Sequence, residues 1–380
     1  MKEDSVLDLE FDQEQQLLSQ TVRDMLARHC PLEVVRQMED DPVGYPVALW
    51  DQLGELDLIG LLLPEAYGGS GMSLLEGVAF YEELGRALAP VPHFVSPVLS
   101  GGVLAAAGSD EQKEDWLRRV ASGEAILSVA WLEPENGFSP LGVQVRARVE
   151  GSGYRLDGVK RHVPFASAAE RLVVLARTGD EPDAVDLFLV EPGAPGTTLR
   201  QQFSIASDTQ YEVSFDGVLV EARDRIGAAG SGWATWQSVL EPALVLLGAQ
   251  AVGGARYALD ITTQYAKDRH QFDKPLGAFQ ALAHYLADAV TRLDGAEQLV
   301  HEAAWAGATG RQLTSLAPMA KLFACSTFRD ITAMAQQLFG GIGFTLDFDI
   351  QLYFRRAKQQ QLMWANDRVL EDAVASALLD

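Results

Sequence analysis

Three stretches of different hydrophobic period follow one another along this chain. To about residue 125 the period is helical. Asp12 and Gln15 form a capping box, after which Leu17, Leu18, Val22, Met25 and Leu26 recur at helical spacing. A second helix is predicted through Leu53, Leu56 and Leu58. It stops at LLLPEAYGGSG (61–71), where Pro64 and the glycine cluster force a loop. SLLEGVAFYEELGRALA (73–89) resumes the period until Pro90 and Pro92 end it. From about 126 to 225 the period falls to two. VQVRARV (143–149) alternates strictly, EGSG turns the chain and YRLDGVK returns, a hairpin signature. RLVVLA and VDLFLVEPG are short apolar runs bounded by Gly, Pro and Asp, and YEVSFDGVLV reads as a strand pair around Asp216-Gly217.

After Gly232 the helices return and are longer. Leu240, Leu244, Leu247, Ala251, Ala258, Ile261 and Tyr265 mark the first. Phe279, Leu282, Leu286, Ala289 and Leu293 mark the second, and Leu316, Met319, Phe323, Ile331, Met334 and Leu338 the third. Such helices are the makings of an up-down bundle. Inside the first, Gly253-Gly254 costs about 1 kcal/mol of helix propensity per glycine, and would let a neighbouring backbone approach closely. The pattern predicts an α+β chain: an N-terminal helical domain (1–125), a central small antiparallel β domain, as a barrel or two-sheet stack (126–228), and a C-terminal four-helix bundle (229–380). No internal repeat or low-complexity segment interrupts it.

Composition narrows the function. At 380 residues with 48% apolar residues the chain has material for two or three domains. Its 30 Lys and Arg face 53 Asp and Glu, a net charge of −23, so its field repels nucleic acid and anionic membranes. Cys30 and Cys325 are far apart and neither has a CxxC partner, which supports neither a disulfide framework nor a zinc ribbon. The six histidines show no metal-ligand spacing, so no metal is expected. The chain reads as lacking the run of roughly 18 apolar residues that a membrane span needs and as lacking a leader, and the expectation is a cytoplasmic protein.

Four motifs carry chemistry. PEAYGGSG resembles a PExYGGxG loop, and LEPENG (132–137) a TEPxAG strand end. RHQFDKPLGAFQALAHYLAD (269–288) resembles RxQFGxPIGxFQxxxHxLAD, and QLFGGIGF (337–344) resembles QxHGGxGY. In this order, across segments of this character, they resemble the acyl-CoA dehydrogenase family. EELGRALAP, VPFA after GVK, and LYFRRAK resemble bacterial members acting on steroid side chains and other bulky acyl-CoA thioesters.

The resemblance implies FAD and α,β-desaturation of an acyl-CoA thioester: a carboxylate takes the Cα proton while hydride leaves Cβ for flavin N5. It implies that Arg269 and Gln271 bind the pyrophosphate of a neighbouring subunit's flavin, a task suited to a guanidinium fork. Phe272 would pack on the cofactor, and Gln337, Gly340 and Gly341 would meet the same dinucleotide. Residues 130–139, with Leu132 and Ser139, and residues 162–167 would wall the flavin ring. An electron-transferring flavoprotein would take the electrons. A shared cofactor implies a homodimer, a homotetramer or a heterotetramer with a second acyl-CoA dehydrogenase subunit.

The sequence departs from the family where the proton should go. The two places the family uses for its glutamate correspond to Ala243 and to Trp364 or Ala365, and none of these accepts a proton. Glu241 and Asp367 are the acids nearby. Glu241 precedes the first place by two residues, roughly 200° on a helix, and Asp367 is also readable as a capping acid. Leu132 stands for the threonine of TEP, Phe138 for the serine of AGS, Phe339 for the histidine of QxHGG, and His162, read as a packed aromatic, for the tryptophan of WIT. Three readings follow: a dehydrogenase with a relocated base, a catalytically silent subunit completing a partner's FAD site, or a flavin oxidase or monooxygenase on the same fold.

Overall fold

The computed structural model describes residues 9–134 and 137–379. In chain order its helices are α1 (Gln13–His29), α2 (Leu32–Gln37), α3 (Val47–Glu55), α4 (Leu74–Ala87), α5 (Gly102–Ala107), α6 (Asp110–Ala121), α7 (Gly232–Asp268), α8 (Gln280–Ala308), α9 (Leu316–Phe339), α10 (Ile350–Leu362) and α11 (Asp367–Leu379). The strands are β1 (Leu127–Ala130), β2 (Arg146–Glu150), β3 (Gly153–Pro164), β4 (Arg171–Arg177), β5 (Val185–Val190), β6 (Thr197–Gln202), β7 (Gln210–Glu221), β8 (Arg225–Ile226), β9 (His270–Gln271) and β10 (Lys274–Pro275). By contact the chain forms two compact units: residues 1–35, 73–89 and 244–380 make one, and 36–72 and 90–243 the other.

The first unit is helical. The Asp12 carboxylate accepts from the backbone of Glu14 and Gln15, and the Gln15 side chain accepts from Asp12 in return, closing the box that starts α1. Gln15 then donates to Glu76 on α4 at 2.8 Å. Glycines let α4 and α7 meet backbone to backbone. A Cβ on Gly253 would lie 1.8 Å from the carbonyl oxygen of Glu82, and one on Gly85 would lie 1.9 Å from that of Gln250. Gly254 meets the ring of Phe328 on α9 in the same way. α7 is long and apolar enough to cross a membrane by length and composition, which corrects the reading that no such run exists. Yet 67% of its apolar window is buried inside the protein, as befits a core helix.

The second unit is built on one eight-stranded sheet, ordered β6-β7-β3-β2-β4-β5-β8, with β1 beside β4. β1 and the first residue of β2 run parallel to β4, and the remaining pairs are antiparallel. Leu156, Val163, Val174, Phe188, Val213 and Phe215, drawn from both halves of the sheet, share one core. Tyr154 on β3 meets Phe188 on β5 at 4.9 Å although two strands lie between them in the sheet, so the sheet curls over on itself.

Two local expectations are corrected. YEVSFDGVLV lies in one strand, β7, not a hairpin: β3 pairs Leu156 with Val218 and Gly158 with Phe215, so Asp216-Gly217 is a bulge that Gly217 accommodates at φ 65°. The second helix ends at Glu55, before Leu56 and Leu58. Asp57 turns left-handed at φ 56° and the Leu58 N–H reaches back to Leu53 O, a Schellman stop made without glycine.

Candidate functional site

At one end of the helical unit α7 gives way to a tight corner. The Arg269 N–H still bonds Tyr265 O at 2.8 Å, and the chain returns through Leu276 N–H to Arg269 O at 2.8 Å. Between them β9 and β10 pair Gln271 with Lys274. Phe272 (φ 53°) and Asp273 (φ 62°) are both left-handed, the signature of a type I′ turn, which glycine and asparagine normally fill. Phe272 is 87% exposed at the tip. Arg269 and Gln271 are exposed, and their side chains have no partner among the described residues.

A second turn closes α9 nearby. Tyr265 stacks on Phe339 at 4.2 Å and 15°, tying the end of α7 to the end of α9. Phe339, where the motif has histidine, is buried and also touches Phe348, so here the position serves packing. Gly340 adopts φ 67°, ψ −143°, a conformation nearly confined to glycine. A Cβ on Gly340 or Gly341 would meet nothing within 4 Å, so this backbone is open to a ligand. Gln337 is exposed beside it. The motifs overlooked Gln336. Its amide nitrogen and oxygen are both buried without a hydrogen-bond partner, and a Cβ on Gly343 would lie 2.7 Å from that oxygen. The Gly340 N–H is engaged by Gln336 O, so the donors this corner offers are the Arg269 guanidinium and the side-chain amides, beside a glycine backbone that a phosphate can approach closely. These residues fit the flavin's charged half.

The β unit presents a strand end of different chemistry. Leu132 is half-buried, and its carbonyl accepts from Arg161 N–H at 2.8 Å. Glu133 is buried and accepts from Gln144 N–H, Val145 N–H and, at 2.7 Å, the Lys160 ammonium, which also donates to Trp131 O. Burial draws Lys160 down to about 8 against the opposing pull of Glu133. Residues 135 and 136 of LEPENG lie outside the described residues. Ser139 is exposed and precedes a short 3-10 turn, Pro140–Gly142. Arg177 fastens that turn by donating to Pro140 O and Val143 O. Phe138 packs on Trp131, which also meets Trp233 and Trp236. His162 is not a packed aromatic: it is exposed, and its Nδ1 lies 2.8 Å from Gln210 Oε1.

The two base positions are apolar and buried. Ala243 is 2% exposed, and α7 is helical for eleven residues before it, so Glu241 points to a different face. Trp364 and Ala365 are 6% and 4% exposed, and Trp364 is held at φ 61°, rare for a bulky residue. Beneath them lies buried Lys321, which donates to Ala365 O at 2.7 Å and Gln360 O at 3.2 Å. Burial lowers its pKa. Asp367 begins α11; one carboxylate oxygen accepts from Gln361, with Arg329 at 3.9 Å, and the other is buried without a partner. Among the described residues Glu82, Glu297 and His301 could offer ligand atoms to a metal. Arg256 at 2.5 Å from Glu297, and the His301–Glu82 pair at 2.9 Å, already balance that charge.

Family models of the acyl-CoA dehydrogenase N-terminal, middle and C-terminal domains match residues 12–124, 128–218 and 230–379. A probable acyl-CoA dehydrogenase, YngJ of Bacillus subtilis, is 30% identical over 98% of this chain and 100% of its own length. The ChsE4-ChsE5 complex of Mycobacterium tuberculosis contains a chain of similar structure, with a TM-score of 0.89, 27% identity, and coverage of 98% of this chain and 99% of that one. A glutaryl-CoA dehydrogenase from Mycobacterium smegmatis in complex with FADH2 has a TM-score of 0.90 and 26% identity, covering 97% of this chain and 95% of that one.

Proposed function

From the premise that this chain belongs to the acyl-CoA dehydrogenase family, FAD-dependent oxidoreductases acting on the CH–CH group of an acyl-CoA, we propose that it is the flavin-completing subunit of a heteromeric dehydrogenase. One contrast supports this reading. The bundle-corner groups Arg269, Gln271, Gln337, Gly340 and Gly341 stand exposed, while Ala243, Trp364 and Ala365 are buried and cannot take a proton.

When bound, FAD supplies the hydride acceptor. The chain's own residues bind and shape. Arg269 and Gln271 grip the pyrophosphate of a flavin held by a neighbouring protomer, and the Gly340-Gly341 backbone approaches the same phosphates. Phe272 covers the cofactor from the hairpin tip. Separately, in the β unit, Ser139 can offer a hydroxyl to a flavin ring, whereas Leu132 offers only an apolar contact. The proton acceptor comes from the partner subunit. That ChsE4-ChsE5 is a complex of two chains favours a heteromer, and bulky acyl-CoA thioesters are the substrate class suggested by the motifs. An electron-transferring flavoprotein completes the electron path.

A single observation favours a second reading, a self-sufficient dehydrogenase with Asp367 as its base: the unpartnered carboxylate oxygen at that residue. Glu241 has no such support. Anaerobic mixing of the isolated, flavin-loaded chain with a panel of acyl-CoA esters separates the readings. No bleaching is expected from the chain alone, and bleaching only with its partner. Rapid bleaching by the chain alone defeats the proposal, and its loss in Asp367→Asn would establish the second reading. Arg269→Ala should weaken FAD binding at least tenfold, a charge-assisted contact being worth about 1.5–3 kcal/mol. An unchanged Kd for FAD rules out the pyrophosphate assignment.

A further inference from the structure

We propose that His162 is a cofactor-contacting residue whose Nε2 is presented as a bare hydrogen-bond acceptor to an N–H or O–H of the flavin, and that Gln210 and Asp208 are positioning residues that impose this tautomer. The proposal rests on the reading that the β unit lines a flavin ring.

The backbone supplies the first argument. β3 pairs Lys160 with Val213 and Val163 with Tyr211, so three steps on β3 oppose two on β7 and the chain bulges at Arg161-His162. His162 takes φ 54° there, a left-handed conformation that a histidine adopts only against steric resistance. Bulges re-aim side chains, and this one leaves the His162 ring exposed immediately before buried Val163 and Pro164. The His162 N–H that the bulge removes from the ladder is recovered by Gln202 Oε1 at 3.0 Å.

The side chains supply the second, independent argument. Asp208 accepts from the Ser204 hydroxyl with one oxygen and from Gln210 Nε2, at 2.5 Å, with the other. An ionised carboxylate accepts only, so the amide of Gln210 must turn its nitrogen toward Asp208 and its oxygen toward His162. That oxygen lies 2.8 Å from Nδ1, which must therefore carry the proton. In the neutral imidazole Nε2 is then a lone pair. Gln210 is 4% exposed, so the amide is held in place by its surroundings, while the ring it orients faces outward. A histidine kept only to fill space needs neither a strained backbone nor a fixed proton position.

The test uses the flavin-loaded protein, with its partner subunit if flavin loading requires one, and nitrogen-15 histidine labelling. On FAD binding the Nε2 resonance of His162 should move toward the value of a hydrogen-bonded acceptor while Nδ1 stays protonated. Gln210→Met should release the tautomer and remove that movement with FAD still bound. His162→Phe should fold, should shift the flavin absorption bands and should weaken FAD binding roughly three- to tenfold, the loss of one neutral hydrogen bond. A His162 resonance indifferent to bound FAD, or a His162→Phe spectrum identical to wild type, overturns the proposal and leaves the flavin reading standing. If no protein in the set takes up FAD, both fall together.

Discussion

Residue by residue, the bundle corner leaves Arg269 and Gln271 exposed and holds strained backbone between them and α8. The hairpin tip holds a phenylalanine and an aspartate where the type I′ turn, and the motif itself, favour glycine at the second place. Asp273→Gly should therefore raise stability by about 1 kcal/mol, read as a higher urea midpoint at unchanged denaturant sensitivity. A lower midpoint would mean that Asp273 has a partner in the assembled protein that outweighs its strain. Phe339 permits the opposite test. Restoring the histidine of the motif would bury an imidazole between Tyr265 and Phe348 with no partner waiting for it, and should cost about 1–3 kcal/mol. Equal stability of the two forms would show that the pocket already holds water.

At the scale of elements, buried cations hold the loops that carry the site. Lys160 joins β3 to the end of β1 through Glu133 and Trp131 O, and Lys321 on α9 holds the turn between α10 and α11 through two carbonyls. The first has a charged partner and the second does not, so their removal should differ. Lys160→Met leaves the buried Glu133 carboxylate with backbone N–H donors but no counter-charge and should cost about 3–5 kcal/mol in unfolding free energy. Lys160→Met with Glu133→Gln should recover much of that loss; failure to recover it would mean that the lysine acts through its bond to Trp131 O instead. The motif LEP was read for the lost hydroxyl at Leu132, yet its glutamate is the residue that fastens the strand end. A buried ion pair across 27 positions leaves no periodic trace in a sequence.

For the whole molecule, acidity and the buried pair His301–Glu82 set the response to pH. Desolvation alone would lower the His301 pKa, but the hydrogen bond to Glu82 and its charge carry it above the ordinary 6.5. Glu82 is itself raised above 4.5, burial outweighing the pull of His301. Both groups bind protons more readily folded than unfolded, so both contributions decline as pH rises. The histidine's share is fully present below pH 6.5 and is lost through its higher folded pKa. The urea midpoint should fall from pH 6 to pH 8.5, and His301→Gln should flatten that slope. An unchanged slope in the variant assigns the dependence to other groups. At this scale the proposed heteromer is also tested: coexpression with a second dehydrogenase chain should give equal copurification and activity only in the mixture, and activity of this chain alone would refute it.

The three successive periods, the capping box at Asp12 and the four motifs were enough to establish the fold and the family, because burial of one face per element is written into the spacing of apolar side chains and the family's motifs are short local strings. Local order could not say that Asp216-Gly217 is a bulge and not a turn, that α3 stops at a left-handed Asp57, or that Phe339 is a packing residue. Nor could it find Gln336, or the line from Asp208 through Gln210 to His162. Those depend on which strand or helix lies alongside, and a hydrogen bond between positions 48 residues apart exists only once the chain has closed on itself.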